Sequence, residues 1–329
     1  MSLKSLLRAF ALASATLAFA GPALAATQWT MASGYPETSF FTKNIRQFIA
    51  AVEERTKGEL KIDLRSHDSL IKLDNIKRAV QSGQVQIGEI RMGVYGNEQE
   101  MFNLDNIPGV VPTFDKSWKL MEAQKPFYDE WFGRNGMRVI TYVAWPGQGF
   151  FTAEPINSLD DLNGVKLRIY SQQTQVMGEK LGTQAIILPF AEVPQAFATG
   201  MIEALWTSAQ SGTDVQVWDY LDVFTYTGTM HNKNAVIVNE RALRALPEDI
   251  RKIVLEEGEA ATARGWELAK AASEERENVL KEHGITINQA PQDVLDRIDE
   301  IGKEMVADWM TRASDAEKAV YEAYQASLD

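Results

Sequence analysis

Arg168 stands in a run of residues that belong in a protein interior. Val165, Leu167 and Ile169 alternate with Lys166, Arg168 and Tyr170, the period-two pattern of a strand with two chemically different faces. A guanidinium on an interior strand is costly to desolvate unless an anion meets it. An Asp or Glu of the same chain would serve, and so would the carboxylate of a bound molecule, whose planar oxygens match the guanidinium fork. The spacing leaves both open. Tyr170, Ser171 and Gln172 follow at a strand-to-helix turn, where free backbone N–H groups favour an anion. Arg91 ends the apolar run Val85 to Ile90 and poses the same choice: an ion pair with Glu89 or Glu98, or a ligand.

Other chemistries find little support. There is no cysteine, hence no thiol nucleophile, thiolate metal site or disulfide. His67, His231 and His283 are scattered, and neither H-E-x-x-H nor G-x-S-x-G occurs. The 33 Lys and Arg stand against 45 Asp and Glu, a net charge of −12 that loss of Lys4 and Arg8 would take to −14. Such a surface argues against nucleic acid and anionic membrane as partners, and an anionic ligand would need a local positive site.

Residues 1–25 read as a secretory signal: Lys4 and Arg8, an apolar stretch from Ala9 to Ala20, a Gly21-Pro22 break, and Ala23-Leu24-Ala25 before the cut. The apolar stretch is too short for a spanning helix. The mature protein is expected to be soluble in the periplasm, monomeric, and without metal or cofactor.

The elements that must hold these residues alternate between strand and helix, the pattern of an α/β fold. Strands are expected at Gln28–Met31, at Leu60, Ile62 and Leu64, at Val85–Ile90 and at Met137–Ala144. A helix capped by Thr38 or Ser39 carries a stripe of Phe41, Ile45, Phe48, Ile49 and Val52. Another spans about Leu70 to Gln81 and stops at Gly83. Further strands fall at Arg168, Ala185–Leu188, Ile202–Trp206 and Lys233–Asn239, with helices over Gln172–Leu181 and Glu192–Thr199 between them. Pro247, Glu248 and Asp249 open a helix that runs to about Glu282, interrupted only by Gly258 and Gly265. Two helices close the chain, the last with a Ser314/Glu317 capping box.

Asp161-Leu162-Asn163-Gly164-Val165-Lys166-Leu167-Arg168, then Gly182 through Pro189-Phe190-Ala191-Glu192-Val193, then Thr199-Gly200, resemble the signature of the solute-binding proteins of tripartite ATP-independent periplasmic (TRAP) transporters, dicarboxylate-binding type. The resemblance extends more weakly over nearly the whole mature chain. It implies a two-lobed clamshell with a long helix spanning both lobes, with residues 26–145 and 234–273 in lobe I and residues 146–233 and 274–329 in lobe II. It implies that Arg168 clamps a ligand carboxylate. Gln148 replaces a second arginine of many relatives, and Thr207 falls where an asparagine is common. Phe190 and Trp206 are candidates for apolar walls, each with core packing as the alternative. Arg91, Tyr170 and Gln172 complete the candidate ligand-binding set, with Trp145 and Tyr35 as weaker rim candidates.

The implied function is an extracytoplasmic solute-binding subunit. It would capture a small organic acid by an arginine–carboxylate clamp and deliver it to the membrane permease subunits, with no chemistry performed. Two other readings remain. A periplasmic enzyme acting on organic acids would need a base beside Arg168, and Glu192 is the one tempting carboxylate. A ligand-binding protein for a membrane sensor would share every feature of the cleft.

Overall fold

The computed structural model describes residues 26–328; the expected signal segment lies outside them. In chain order the elements are β1 (Thr27–Ala32), α1 (Phe40–Arg55), β2 (Leu60–Arg65), α2 (Ile76–Ser82), β3 (Ile87–Arg91), α3 (Phe114–Arg134), β4 (Met137–Ala144) and β5 (Gln148–Thr152). Then come β6 (Lys166–Ile169), α4 (Gln172–Lys180), β7 (Gln184–Ile187), α5 (Val193–Ala198), β8 (Ala204–Ser208), α6 (Ala209–Asp214), β9 (Val223–Tyr226) and β10 (Lys233–Asn239). The chain ends with α7 (Glu240–Arg244), α8 (Glu248–Glu282), β11 (Thr286–Gln289), α9 (Gln292–Arg312) and α10 (Asp315–Ala326).

Two sheets make the two lobes. The first runs β2-β1-β3-β10-β4 and the second β11-β9-β5-β8-β6-β7. In the first, β1 pairs in parallel with β2 and β3, while β10 returns from the second lobe and pairs antiparallel to both β3 and β4. In the second, β6 runs parallel to β7 and β8, and β5 antiparallel to β8 and β9. Leu60, Ile62 and Leu64 alternate buried against exposed along β2, as half-buried strands require. Strand β4 follows Met137–Ala144 as expected from its continuous apolar run.

Four segments cross between lobes: residues 145–147, residues 227–232, α8, and residues 313–314 between α9 (Gln292–Arg312) and α10 (Asp315–Ala326). The first two are tied together. Trp145 N donates to Asn232 O at 2.8 Å, and Gln148 O accepts from Thr227 N at 3.1 Å and Thr227 Oγ1 at 2.7 Å. Helix α8, 35 residues and about 50 Å long at 1.5 Å per residue, packs on α1 and β4 of the first lobe and on α6 and β11 of the second. It is continuous through Gly258 and Gly265. Those glycines let it lie close on β4: an added Cβ would meet Ile140 O at 2.5 Å and Val143 Cγ2 at 2.5 Å, respectively.

Three local expectations need correction. The helix expected from Leu70 begins as a 3-10 turn at Leu73–Asn75 and becomes α-helical at Ile76, because Asp68 Oδ1 accepts Leu73 N at 2.9 Å and holds the preceding residues in a loop. Ser39 occupies the N-cap of α1 but its side chain makes no cap bond. The C-terminal tail also does not stay with the second lobe. While α9 packs on α4, α10 packs on α3, where Tyr324 donates to Val110 O and Glu317 Oε1 accepts Met101 N at 2.7 Å. The Ser314/Glu317 capping box opens α10 as expected.

Candidate functional site

The carboxyl ends of strands from both sheets face each other across a cleft, as ligand sites in α/β sheets do. Arg91 is the last residue of β3, Trp145 follows β4, Arg168 lies on β6 with Tyr170 just past it, and Thr207 lies near the end of β8. These residues, with Tyr35, Gln148, Phe190, Ser211 and Asn232, line one small cavity. Its smallness reflects lobes already in contact. Arg91 Nη2 donates to Tyr170 O across the cleft at 3.1 Å, and the rings of Tyr35 and Phe190 meet at 5.9 Å.

Two guanidiniums converge there without a carboxylate. Arg168 is 2% exposed and Arg91 8%. Glu89, one candidate partner of Arg91, instead accepts Ser33 Oγ at 2.6 Å and Asn234 Nδ2 at 2.9 Å. Glu98, the other, pairs with Lys77. Arg168 meets only a carbonyl: its Nε and Nη2 donate to Leu188 O at 3.1 and 2.9 Å. That contact occupies the side-on edge of the guanidinium and fixes its plane. The end-on edge, Nη1 with the second Nη2 hydrogen, is left for a planar acceptor. Burial, and then the charge of Arg91, pull the Arg168 pKa down to about 9; both causes are ones that a bound anion would relieve. The Arg91 Nε has no hydrogen-bond partner. Tyr170 lies between the two, its ring 4.8 Å from the Arg91 guanidinium and 5.7 Å from that of Arg168, close enough for cation–π attraction.

Gln148 is in the cleft but largely engaged. Its Oε1 accepts Tyr170 O–H at 2.6 Å and its Nε2 donates to Asn232 Oδ1 at 3.1 Å. Asn232 donates in turn to Tyr170 Oη at 3.1 Å and Asn106 Oδ1 at 2.8 Å. Asn106 donates to Asp105 at 2.8 Å, and Asp105 holds the buried Lys233 ammonium at 2.8 Å. This network runs from the cleft wall to the root of β10. The remaining wall is aromatic: Trp145 packs edge-on against Tyr35 at 5.2 Å and on Phe41 at 4.4 Å.

Six of the eight candidate residues therefore meet in one cleft: Arg91, Gln148, Arg168, Tyr170, Phe190 and Thr207. Two do not. Trp206 points to the opposite face of β8, fully buried against Phe150 at 4.7 Å, because its neighbour Thr207 takes the cleft face. Gln172 is exposed at the start of α4 and borders an outer groove. Trp145 and Tyr35, the weaker candidates, are wall residues. Asn232 and Ser211 were not anticipated: Asn232 sits in a crossover with no periodic pattern, and Ser211 in α6, a helix of only six residues.

The cleft holds neither imidazole nor carboxylate. Glu192 is exposed, His231 is buried on Val111 O beside Phe114, and His283 stacks on Trp218. A wider groove lies between α3, β4 and α8, but it mixes Lys125 and Arg138 with Glu122, Asp129 and Glu259.

Residues 31–312 match the model of the family described as bacterial extracellular solute-binding protein, family 7. Among solved structures, DctP7 of Bordetella pertussis, an extracytoplasmic solute receptor binding pyroglutamic acid, is 35% identical with a TM-score of 0.89, over 91% of this chain and 100% of that one. A marine metagenome TRAP solute-binding protein specific for pyroglutamate is 29% identical with a TM-score of 0.88, over 91% and 99% of the two chains. A solute-binding protein of Sulfitobacter sp. NAS-14.1 is 24% identical over 268 residues, 80% of this chain and 79% of its own length.

Proposed function

This chain belongs to the bacterial extracellular solute-binding protein family 7, and from that premise we propose that it captures a small organic acid between its lobes for delivery to a TRAP membrane permease. It is a solute receptor and not an enzyme. One observation carries the reading of the cleft: two buried guanidiniums, one from each sheet, share a small cavity with no carboxylate to neutralise them. Buried charge held without a counterion costs several kcal/mol, a cost that an anionic solute would offset on binding.

In this reading Arg168 takes the solute carboxylate on its end-on edge, and Arg91 takes a second acceptor from the other lobe. Thr207 and Ser211 offer hydroxyls, while Gln148 holds Tyr170 in place more than it reads the solute. Phe190, Tyr35 and Trp145 enclose the carbon skeleton. A compact acid with one carboxylate and one further carbonyl suits both the cavity and the two arginines. Pyroglutamate has that form, and the two relatives described above that bind it share 35% and 29% of their residues with this chain. We take it as the solute to test first. The periplasm is the compartment implied.

Titration calorimetry and thermal melting with pyroglutamate, galacturonate and succinate test the proposal. Pyroglutamate at a hundred times its Kd is expected to stabilise the protein by about 2.7 kcal/mol. Preference for succinate would overturn the single-carboxylate reading. Conversion of any of the three would overturn capture without chemistry.

A further inference from the structure

Behind the aromatic wall of the cleft sits a carboxyl for which solute capture, as described so far, has no use. Glu89 lies on β3 two residues before Arg91, so the two side chains leave the same face of the strand. It is 1% exposed, and its hydrogen bonds come from two neutral groups, Ser33 Oγ and Asn234 Nδ2. Both donors lead to the wall. Asn234 Oδ1 accepts the Trp145 indole N–H at 2.8 Å, and Ser33 Oγ accepts the Tyr35 backbone N–H at 3.3 Å. Glu89 also borders a second, very small cavity with Phe41, Ile45, Val143 and Val236. Burial alone pushes its pKa up to about 7, so its charge changes near neutrality.

The charged and titratable groups around Glu89 are few. Arg91 shares its strand, Tyr35 comes from the loop after β1, and Arg168 from β6. Asp74 belongs to the turn before α2, and its charge reaches Tyr35 and Arg168. Arg264 of α8 donates to Asn44 Oδ1 at 2.8 Å beside the second cavity. On β10 the Lys233–Asp105 pair leaves the opposite face from Asn234. From α1 and β4 the neighbours are neutral: Phe41, Asn44, Ile45, Thr141 and Val143.

We propose that Glu89 is a positioning residue for solute capture, coupled through Asn234 and Ser33 to the Trp145–Tyr35 wall, and that binding of an anionic solute drives a proton onto it. The inference rests on the preceding reading that the solute is an anion. A carboxylate entering beside Arg91 adds like-charge repulsion to Glu89 and favours its neutral form. Proton and solute then bind cooperatively, each raising the affinity for the other. Affinity is therefore greatest below the Glu89 pKa and is lost as pH rises through it. The neutral carboxyl keeps the wall in place, since its carbonyl oxygen still accepts Asn234 and the Ser33 hydroxyl can rotate to suit its other oxygen.

Nuclear magnetic resonance of the Trp145 indole N–H in the mature chain tests the coupling without any solute, the signal being assigned with Trp145→Phe. The signal should titrate between about pH 6 and about pH 8 in the wild type and stay flat in Glu89→Gln. Calorimetry with pyroglutamate in buffers of different ionisation enthalpy tests the linkage. Wild-type protein should take up a proton on binding and lose roughly fivefold in affinity from about pH 6 to about pH 8. Glu89→Gln should bind at both pH values as the wild type does at the lower, with no uptake. An indole signal in the wild type that ignores pH overturns the proposal, whether or not the variant folds. The same pH slope of affinity in both proteins overturns it too. If pyroglutamate fails to bind the wild type at every pH, the solute reading falls and the indole titration alone decides the role of Glu89.

Discussion

Arg168 and Arg91 differ in how they are held, and that difference predicts how they fail. Leu188 O fixes the Arg168 plane through two hydrogen bonds, whereas Arg91 reaches across to Tyr170 O with one. Arg168→Ala and Arg168→Lys are both expected to cost about 2–5 kcal/mol of solute binding, well over tenfold in Kd, because lysine lacks the fork. Arg91→Ala should also weaken binding yet leave the melting temperature of the solute-free protein undiminished, since it removes the charge that depresses Arg168; calorimetry and melting on the same samples separate the two effects. Glu89 gives a pH signature of its own. Its folded pKa of about 7 lies above the ordinary 4.5, so stability falls as pH rises from the lower value to the upper, and the full penalty applies above it. Glu89→Gln should therefore match the wild type in urea unfolding near pH 4.5 and exceed it by about 3 kcal/mol at pH 8. At this scale the sequence was informative where chemistry is conspicuous. A guanidinium among apolar neighbours marks Arg168, but Trp206 and Thr207 read alike until the pleat assigns one to the core and the other to the cleft. Gln148 lines the cleft, while its engagement with Asn232 depends on a crossover 84 residues away, which no local pattern encodes.

Elements with clean periodicity were legible, and the exceptions have physical causes. Strands β2, β4 and β10 follow their apolar runs. Helix α3 escaped notice because its core face carries Ser117 and Gln124 among Leu120, Met121, Tyr128 and Phe132, and Pro126 lies inside it. Glycines 258 and 265 look like interruptions of α8 but are contact points with β4. Gly258→Ala should thus destabilise the protein by about 1–3 kcal/mol despite alanine's better helix propensity, since Ile140 O cannot retreat without moving β4. Gly133→Ala in α3, where an added Cβ meets nothing within 4 Å, should stabilise by about 0.5–1 kcal/mol. Equal effects from the two would contradict this account of α8. At the root of β10, Lys233 and Asp105 are buried together at 2.8 Å, with side chains 0% and 2% exposed. Lys233→Met would strand the carboxylate and cost about 3–5 kcal/mol, while pairing it with Asp105→Leu should recover much of the loss; urea unfolding of the two variants reads the difference.

For the whole molecule, the two-sheet arrangement places half of the cleft on each side of the crossovers. Arg91, Tyr35 and Trp145 belong to the first sheet and its loops, and Arg168, Tyr170, Phe190 and Thr207 to the second. No lobe can build the site alone, so capture requires the lobes to approach. At the cleft mouth the contacts that join them are few and weak: one hydrogen bond from Arg91 to Tyr170 O, the Tyr35–Phe190 ring contact, and Thr38 Oγ1 to Asp214 Oδ1 at 3.3 Å. Behind it lie the Asn232 network and the packing of α9 on Glu100–Asn106, where Trp309 Nε1 donates to Glu100 O at 2.8 Å. Against the mouth contacts stands the repulsion of two like charges drawn together in one small cavity. Without an anion the closed arrangement is therefore the strained one, and solution should favour lobes set apart by bending at residues 145–147 and 227–232. An anion reverses the balance, because it attracts both guanidiniums and is enclosed only when they meet. Small-angle scattering on the mature protein should show a radius of gyration that falls on saturation with the tightest solute. Arg91→Ala should close more readily without solute than the wild type does, having lost the repulsion, yet gain less from solute. A scattering profile unchanged by solute in both proteins would mean that the cleft is preformed, and that the two arginines are held together by something other than the anion they await.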